Sequence, residues 1–261
     1  MLEGILILWF ILTGLSLIYI TYDLIWVTPE APVMKAGWWL VTLYTGPIGL
    51  FLYLLTCKEP MPETHEAFIA PLWKQSIGSE VHCLAGDATG IILAAAILAF
   101  FEISPSLEIF IEYVAGFASG LLIFQSLFMK KMMGGNYFQA LKTTFYPEWL
   151  SMNMIMGGMI PTMVIWSLLI PGSRDPVSLR FWGMMSLASI IGGIAAYPMN
   201  HWLVKKGLKH GMTTIRKGET VTMAHHEMAS KVSRKELTTK LLLSLLGLGV
   251  GVAIAAIAYL F

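Results

Sequence analysis

The sequence predicts an all-α, polytopic membrane helix bundle of about seven transmembrane helices, on the strength of three observations. Hydrophobic residues make up 56% of the 261 positions, and charged residues only 13%, about half the share that is usual in soluble domains. Apolar runs of roughly 20 residues, the length that crosses the hydrocarbon core, recur along the chain. Segments rich in proline, glycine and charge separate these runs. We therefore expect one membrane domain over residues 1–261, helical because a helix satisfies its own backbone in lipid.

Seven segments have the length and apolarity of a span. They are residues 2–26, 34–57, 81–101, 107–129, 149–170, 179–204 and 237–261. The first lacks the basic start and small-residue cleavage site of a secretory signal, so we predict that it is retained as a span. The second is interrupted near its middle by Thr45-Gly46-Pro47-Ile48-Gly49, a pattern typical of the broken helices that form binding sites in transporters.

The positions of lysine and arginine predict the orientation. With the N-terminus in the cytoplasm, the cytoplasmic loops are 58–80, 130–148 and 205–236. Together with Lys240, these loops hold 14 of the 17 basic residues. Such an excess marks the cytoplasmic side of a membrane protein. An odd number of spans then places the C-terminus outside, and we expect a multi-pass protein of the cell (inner) membrane.

Composition and motifs exclude several classes of function. A net charge of +1 and the lack of a basic reader module argue against a nucleic-acid partner. Cys57 and Cys83 have no spacing that predicts disulfides or a cysteine-rich zinc module. There is no Gly-x-Ser-x-Gly elbow, Walker loop or dinucleotide fingerprint, so no catalytic residue is predicted. The predicted partners are the lipid bilayer and a metal ion, and the sequence leaves the oligomeric state open.

The candidate metal site lies where the third predicted span begins and the sixth ends, on the same face of the membrane. His82 and Cys83 are then at the same depth as His201, whatever the order of the helices. Asp87 follows His82 by five residues, about 7.5 Å deeper. Thiolate, imidazole and carboxylate together suit Zn(II), and thiolate with thioether suits Cu(I). We predict these four residues as ligands; the alternative is that they hydrogen-bond one another and hold the helices together.

Further side chains are predicted to support this site. They are Glu80, Met152, Asn153, Met156, Met199 and Asn200. The methionines of the fifth span follow helical spacing and could pass a soft cation, although methionine is also a flexible filler of apolar cores. Toward the outer face, Glu112 is the deepest carboxylate and a candidate proton relay.

Three motifs of the chain resemble a family of bacterial and archaeal integral-membrane proteins that is catalogued only as a domain of unknown function. The motifs are His82-Cys83-x-x-Gly86-Asp87, Tyr197-Pro198-Met199-Asn200-His201 and Lys206-Gly207-Leu208-Lys209-His210-Gly211-Met212. The resemblance covers roughly residues 70–215. It implies a membrane fold and draws attention to these motifs, and it implies no particular reaction.

The sequence leaves three hypotheses about function open. In the first, the protein binds or moves a transition-metal ion, copper or zinc, with a haem held by His82 and His201 as a variant. In the second, it is a proton-coupled transporter of a small solute that uses Asp87 and the broken helices. In the third, it is a non-catalytic membrane subunit or scaffold in which the polar residues are structural.

Overall fold

The computed structural model describes residues 1–127, 136–215 and 232–260, and their regular structure is helical. The helices are α1 (Leu2–Trp26), α2 (Pro32–Thr45), α3 (Pro47–Thr56), α4 (His65–Ile69), α5 (Leu72–Leu98), α6 (Pro105–Gln125), α7 (Tyr137–Leu169), α8 (Leu179–Lys205) and α9 (Arg234–Ala258). Six of them, all except α2, α3 and α4, are long and apolar enough to cross a membrane. The prediction of an all-helical, multi-pass membrane protein is confirmed.

The predicted second span is broken in two at Gly46. This glycine has a positive φ of 57°, and a Cβ there would lie 2.6 Å from the Thr13 hydroxyl oxygen of α1. Glycine fits because it has no Cβ and tolerates positive φ. Pro47 then starts α3 at its first position, where the missing backbone N–H costs no helical hydrogen bond.

The two halves form a re-entrant pair instead of a span. Lys58, two residues after α3, makes a 2.8 Å ion pair with Asp23 near the end of α1. Tyr53 of α3 hydrogen-bonds Thr28, just after α1, at 2.7 Å. Since α2 starts a few residues after α1, α3 must return to the end of the bundle from which α2 entered. The prediction that residues 34–57 form a seventh span is therefore not confirmed: α2 runs inward, turns at Gly46 against α1, and α3 runs back.

This turn changes which chain segments share an end of the bundle. We call the end that holds residues 27–31, 57–71 and 206–215 the site end. Helix α5 begins there and α8 finishes there, joined by a 3.0 Å hydrogen bond between Ser76 and His201. At the opposite end, Arg180 at the start of α8 pairs with Glu3 at 2.6 Å. The start of α1 and the end of α9 both lie at this opposite end, whereas seven spans would separate the termini.

Two predicted cytoplasmic loops are partly helix. Helix α5 starts nine residues earlier than the predicted third span, because its polar first turns are buried by neighbouring segments: Gln75 donates to the Ile69 carbonyl at 2.9 Å. Helix α7 runs unbroken through residues 137–148, with Asn136 as its N-cap and Pro147 inside it. A proline removes a single helical hydrogen bond, so the helix continues past Pro147, and residues 137–148 of the predicted cytoplasmic loop 130–148 are helical. Predicted loop residues 130–135 and 216–231, the predicted span end at 128–129, and residue 261 lie outside the described residues.

Candidate functional site

Lys209 is the central charge of the site end. It belongs to the non-helical segment 206–215 that follows α8, and its side chain reaches into the bundle with 2% of its surface exposed. Its ammonium group donates to Glu148 Oε2 at 2.9 Å, to Cys83 Sγ at 2.7 Å and to Ser151 Oγ at 2.7 Å. Burial alone would lower the pKa of Lys209, but the facing Cys83 and Glu148 outweigh it and raise this pKa. These contacts favour the charged form of the lysine inside the protein.

Two carboxyl groups face each other beside this lysine. A Cβ on Gly120 would lie 2.0 Å from Asp87 Oδ1 and 2.4 Å from Glu148 Oε1. Only a glycine at this position leaves room for both oxygens. Gly120 belongs to residues Ser119–Gln125, the last part of α6, which form a π-helix, and such distortions occur frequently at functional sites. Both carboxyl groups are fully buried, so the close approach is shielded from water.

Amide, thiol and hydroxyl groups extend the cluster to α8. Asn200 donates to Glu80 Oε2 at 2.5 Å and accepts from Ser151 Oγ at 2.8 Å. Gln125 donates to Cys83 Sγ at 3.1 Å. We refer to the whole set as the lysine network: Glu80, Cys83, Asp87, Gln125, Glu148, Ser151, Asn200 and Lys209. It holds three buried carboxyl groups against one lysine, and buried charges are tolerated only when they are balanced by counter-ions or protons.

The structure gathers part of the predicted ligand set and separates the rest. Cys83 and Asp87 belong to the lysine network. The ring of His82 packs edge-on against Phe124 with centroids 5.9 Å apart. His201 contacts Ser76, which precedes Asp87 by eleven residues, about 16 Å along α5. Within the described parts of the chain, His82, Cys83, Asp87 and His201 are therefore not a single donor set.

The supporting residues have separate roles. Met152 and Met156 lie in the main apolar core, and Met199 packs in a smaller cluster with Leu150 and Leu203. Asn153 accepts from the Tyr113 hydroxyl at 2.7 Å and donates to Ser244 at 3.0 Å, so it links α6, α7 and α9. Glu80 and Asn200 are members of the lysine network, as described above.

Sequence analysis missed Glu148, Ser151 and Lys209. Glu148 stands one residue before the predicted fifth span, and Ser151 lies inside that span. Lys209 was assigned to a cytoplasmic loop because nothing in composition distinguishes a buried lysine from a solvated one. The only signal for it was its place in the motif Lys206–Met212, which carried part of the family resemblance.

Two cavities approach the middle of the bundle from opposite ends. The first, at the site end, reaches Lys209 and Gln125 and is also lined by His82, Thr144 and Pro147. The second is lined by the remaining predicted residue, Glu112, together with Glu108, Arg174, Met163 and Met184, among others. Between the two cavities, the side chains of Ile91 and Met152 pack against Gly116. The lysine network is thus approached from the site end and separated from Glu112 by an apolar layer.

These features define a multi-pass membrane protein with a buried acid–thiol–lysine network in one half of its helix bundle. Residues 72–209, just over half of the chain, match the family described as Domain of unknown function (DUF4396), and the chain belongs to this family. The matched region begins with α5 and ends at Lys209, so it contains the entire lysine network. No match was found among curated proteins, and none among solved structures.

Proposed function

We propose that this protein is a proton-coupled membrane transporter of a small solute or ion, in which Asp87 and Glu148 hold the coupling proton. The observation that supports it is the approach of the two carboxyl groups across Gly120. The Asp87 and Glu148 oxygens lie 2.0 Å and 2.4 Å from the same point, the Cβ position of Gly120. Two carboxylates this close cannot both be ionised unless a cation lies between them. A proton held between the two carboxyl groups would relieve their repulsion, and ionisable residues inside membranes commonly form proton relays.

Lys209 is the fixed counter-ion in this proposal. Its 2.9 Å contact with Glu148 balances one negative charge, so one shared proton leaves the Asp87–Glu148–Lys209 group neutral. Loss of that proton creates a single uncompensated negative charge in the bundle. That charge would favour a cationic cargo, or would drive a rearrangement that exposes the pair to water on the other side.

In this proposal the two cavities form the two halves of a path for protons across the bundle. Protons from the site end would reach Lys209 and Glu148 through the first cavity. On the other side, Glu112 lines the second cavity and acts as the outer relay. Asp87 and Ala95, which lines the second cavity, are eight residues apart on α5, about 12 Å. In this proposal the described conformation is accessible from the site end and closed by Ile91 and Met152 on the other.

Charge supports an orientation in the cell membrane with the site end in the cytoplasm. With α2 and α3 re-entrant, Lys35 moves to the site end, where it donates to the Leu24 carbonyl. Of the 12 basic residues in the described ranges, only Arg174 and Arg180 then belong to segments at the opposite end. This bias is stronger than the one calculated for seven spans, and it favours both termini outside the cytoplasm.

The test combines a measurement of carboxyl protonation with a measurement of proton flux, both on purified protein. Infrared titration should reveal a protonated carboxyl band at neutral pH that Asp87→Asn removes and Asp175→Asn, in an exposed connection, keeps. Proteoliposomes with an internal pH dye and an imposed membrane potential should show proton uptake for wild type and Asp175→Asn, and loss of uptake for Asp87→Asn. A wild type without the band, or unchanged uptake in Asp87→Asn, would refute the proposal.

A further inference from the structure

A second cluster of polar side chains lies at the site end, outside the matched family region and apart from the lysine network. Glu30 comes from the connection between α1 and α2, Cys57 follows α3, and His65 starts α4. All three residues are at most 2% exposed. Throughout the described ranges, this is the only group of three His, Cys, Asp or Glu residues whose donor atoms all lie within 4.8 Å of one another.

The three donor atoms form a nearly equilateral triangle. Cys57 Sγ is 3.9 Å from Glu30 Oε2 and 4.0 Å from His65 Nε2, and the Glu30 and His65 atoms are 4.0 Å apart. The centre of such a triangle is about 2.3 Å from each corner, close to the 2.0–2.3 Å bond lengths of zinc to oxygen, nitrogen and sulfur. An ion would fit with shifts of a few tenths of an ångström.

Neighbouring groups hold two of the three donors, those of Glu30 and His65, toward this centre. The other ring nitrogen of His65, Nδ1, is 2.9 Å from the Thr214 hydroxyl. The other oxygen of Glu30, Oε1, accepts backbone hydrogen bonds from Ala31 and Thr213, each at 2.9 Å. Metal ligands are characteristically fixed in this way by a second layer of hydrogen bonds. Both Oε2 of Glu30 and Nε2 of His65 are thereby directed at Cys57.

The charge of the ligands favours a divalent ion. Glu30 and Cys57 are both buried, so any negative charge that they carry must be balanced inside the protein. As metal ligands, both groups lose their protons and contribute two negative charges, which a divalent ion cancels. A monovalent Cu(I) would leave one buried negative charge, and a site containing a carboxylate is less suited to this soft ion.

We propose that Glu30, Cys57 and His65 bind one Zn²⁺ ion. The three ligands leave a fourth position open, as in zinc sites that take a water or solute ligand. The ion joins the start and the return of the re-entrant pair α2–α3 to the segment that carries Thr213 and Thr214. None of the ligands belongs to the set predicted from the sequence, and the site is independent of the proton-coupled function proposed above.

The experiment uses full-length protein in detergent, loaded with zinc sulfate, desalted and analysed for metal. We expect about one zinc per chain, and a loss of affinity of tenfold or more in Cys57→Ser and His65→Gln. Cys83→Ser and His201→Gln are matched controls, because they change the same residue types at the same end of the bundle and should keep the metal. Substoichiometric zinc in wild type, or equal loss in Cys57→Ser and Cys83→Ser, would overturn the proposal.

A second measurement avoids dependence on the folding of the variants. Wild-type protein titrated with Co²⁺ should develop a thiolate-to-cobalt absorption band, which zinc then abolishes by displacement. Cys83→Ser should keep the band, since Cys83 is outside the proposed site. Absence of the band in wild type, or its loss in Cys83→Ser alone, would contradict a Cys57 ligand. Neither result would affect the carboxyl band and proton uptake that test Asp87.

Discussion

Replacing Lys209 with methionine should destabilise the protein far more than replacing its neighbour Lys206. Both lysines form an ion pair of similar length, 2.9 Å to Glu148 for Lys209 and 3.0 Å to Glu236 for Lys206. The environments differ: the side chains are 2% and 0% exposed in the first pair and 27% and 34% exposed in the second. The comparison therefore isolates burial at nearly constant geometry.

The magnitude follows from what each substitution leaves behind. Lys209→Met retains an uncompensated carboxylate in the bundle and removes two further hydrogen bonds, and breaking a buried pair in this way costs about 3–5 kcal/mol. Lys206→Met leaves a carboxylate that water can solvate, and an exposed pair contributes little to stability because solvent screens it. For a chain of this size the first loss corresponds to a fall in Tm of roughly 6–20 °C, and the second to a few degrees at most.

The assay is thermal unfolding in detergent, followed by tryptophan fluorescence. A double variant, Lys209→Met with Glu148→Gln, removes both charges and should recover a large part of the lost Tm, because no unpaired ion remains. Equal Tm values for Lys209→Met and Lys206→Met would refute the burial argument. Failure of the double variant to recover stability would show instead that packing around Lys209, and not charge, is what matters.

Three further predictions address the glycines, pH and topology. Gly120→Ala should lower the Tm by overpacking against Asp87, a cost of about 1–3 kcal/mol, whereas the control Gly14→Ala, whose Cβ would have nothing within 4 Å, should not. Gly46→Ala should also lower the Tm, because its positive φ costs a residue with a side chain about 1–3 kcal/mol. A wild-type Tm for Gly120→Ala or for Gly46→Ala would contradict the packing described. The raised pKa of Lys209 means that its stabilisation is complete below about pH 10 and lost only as pH rises through the raised value, so the Tm difference for Lys209→Met should be constant from pH 7 to 9, and shrinkage in that range would count against a charged lysine. Reporter tags at the two termini should have the same accessibility in right-side-out vesicles; opposite accessibility would restore the seventh span.

The length of the apolar runs predicted six of the helices well, because a long apolar segment in a membrane is stable mainly as a helix, which satisfies its own backbone hydrogen bonds. It was not sufficient for residues 34–57, since the direction of a broken helix depends on tertiary contacts. The pairing of Asp23 with Lys58 is one such contact, and a hydropathy window does not detect it. The prediction that α5 and α8 meet was correct, and they do so through Glu80, Ser76 and their partners.

The sequence predicted only part of the lysine network for a related reason. Depth along a helix can be counted from sequence, but the direction in which a side chain points around the helix needs the neighbouring helices. His82 and Cys83 are adjacent in sequence, yet the first packs against Phe124 and the second contacts Lys209. Lys209 itself reaches the bundle from a segment without regular structure, for which hydropathy carries no positional information.

The segment from Lys209 to Thr214 is only six residues long, and each of its ends is tied to a different buried cluster. Its first residue holds Glu148 and Cys83, and its last holds His65. An extended chain of this length spans at most about 20 Å, which limits how far the two clusters can move apart. The segment is therefore a short covalent link between the carboxyl pair and the re-entrant helices.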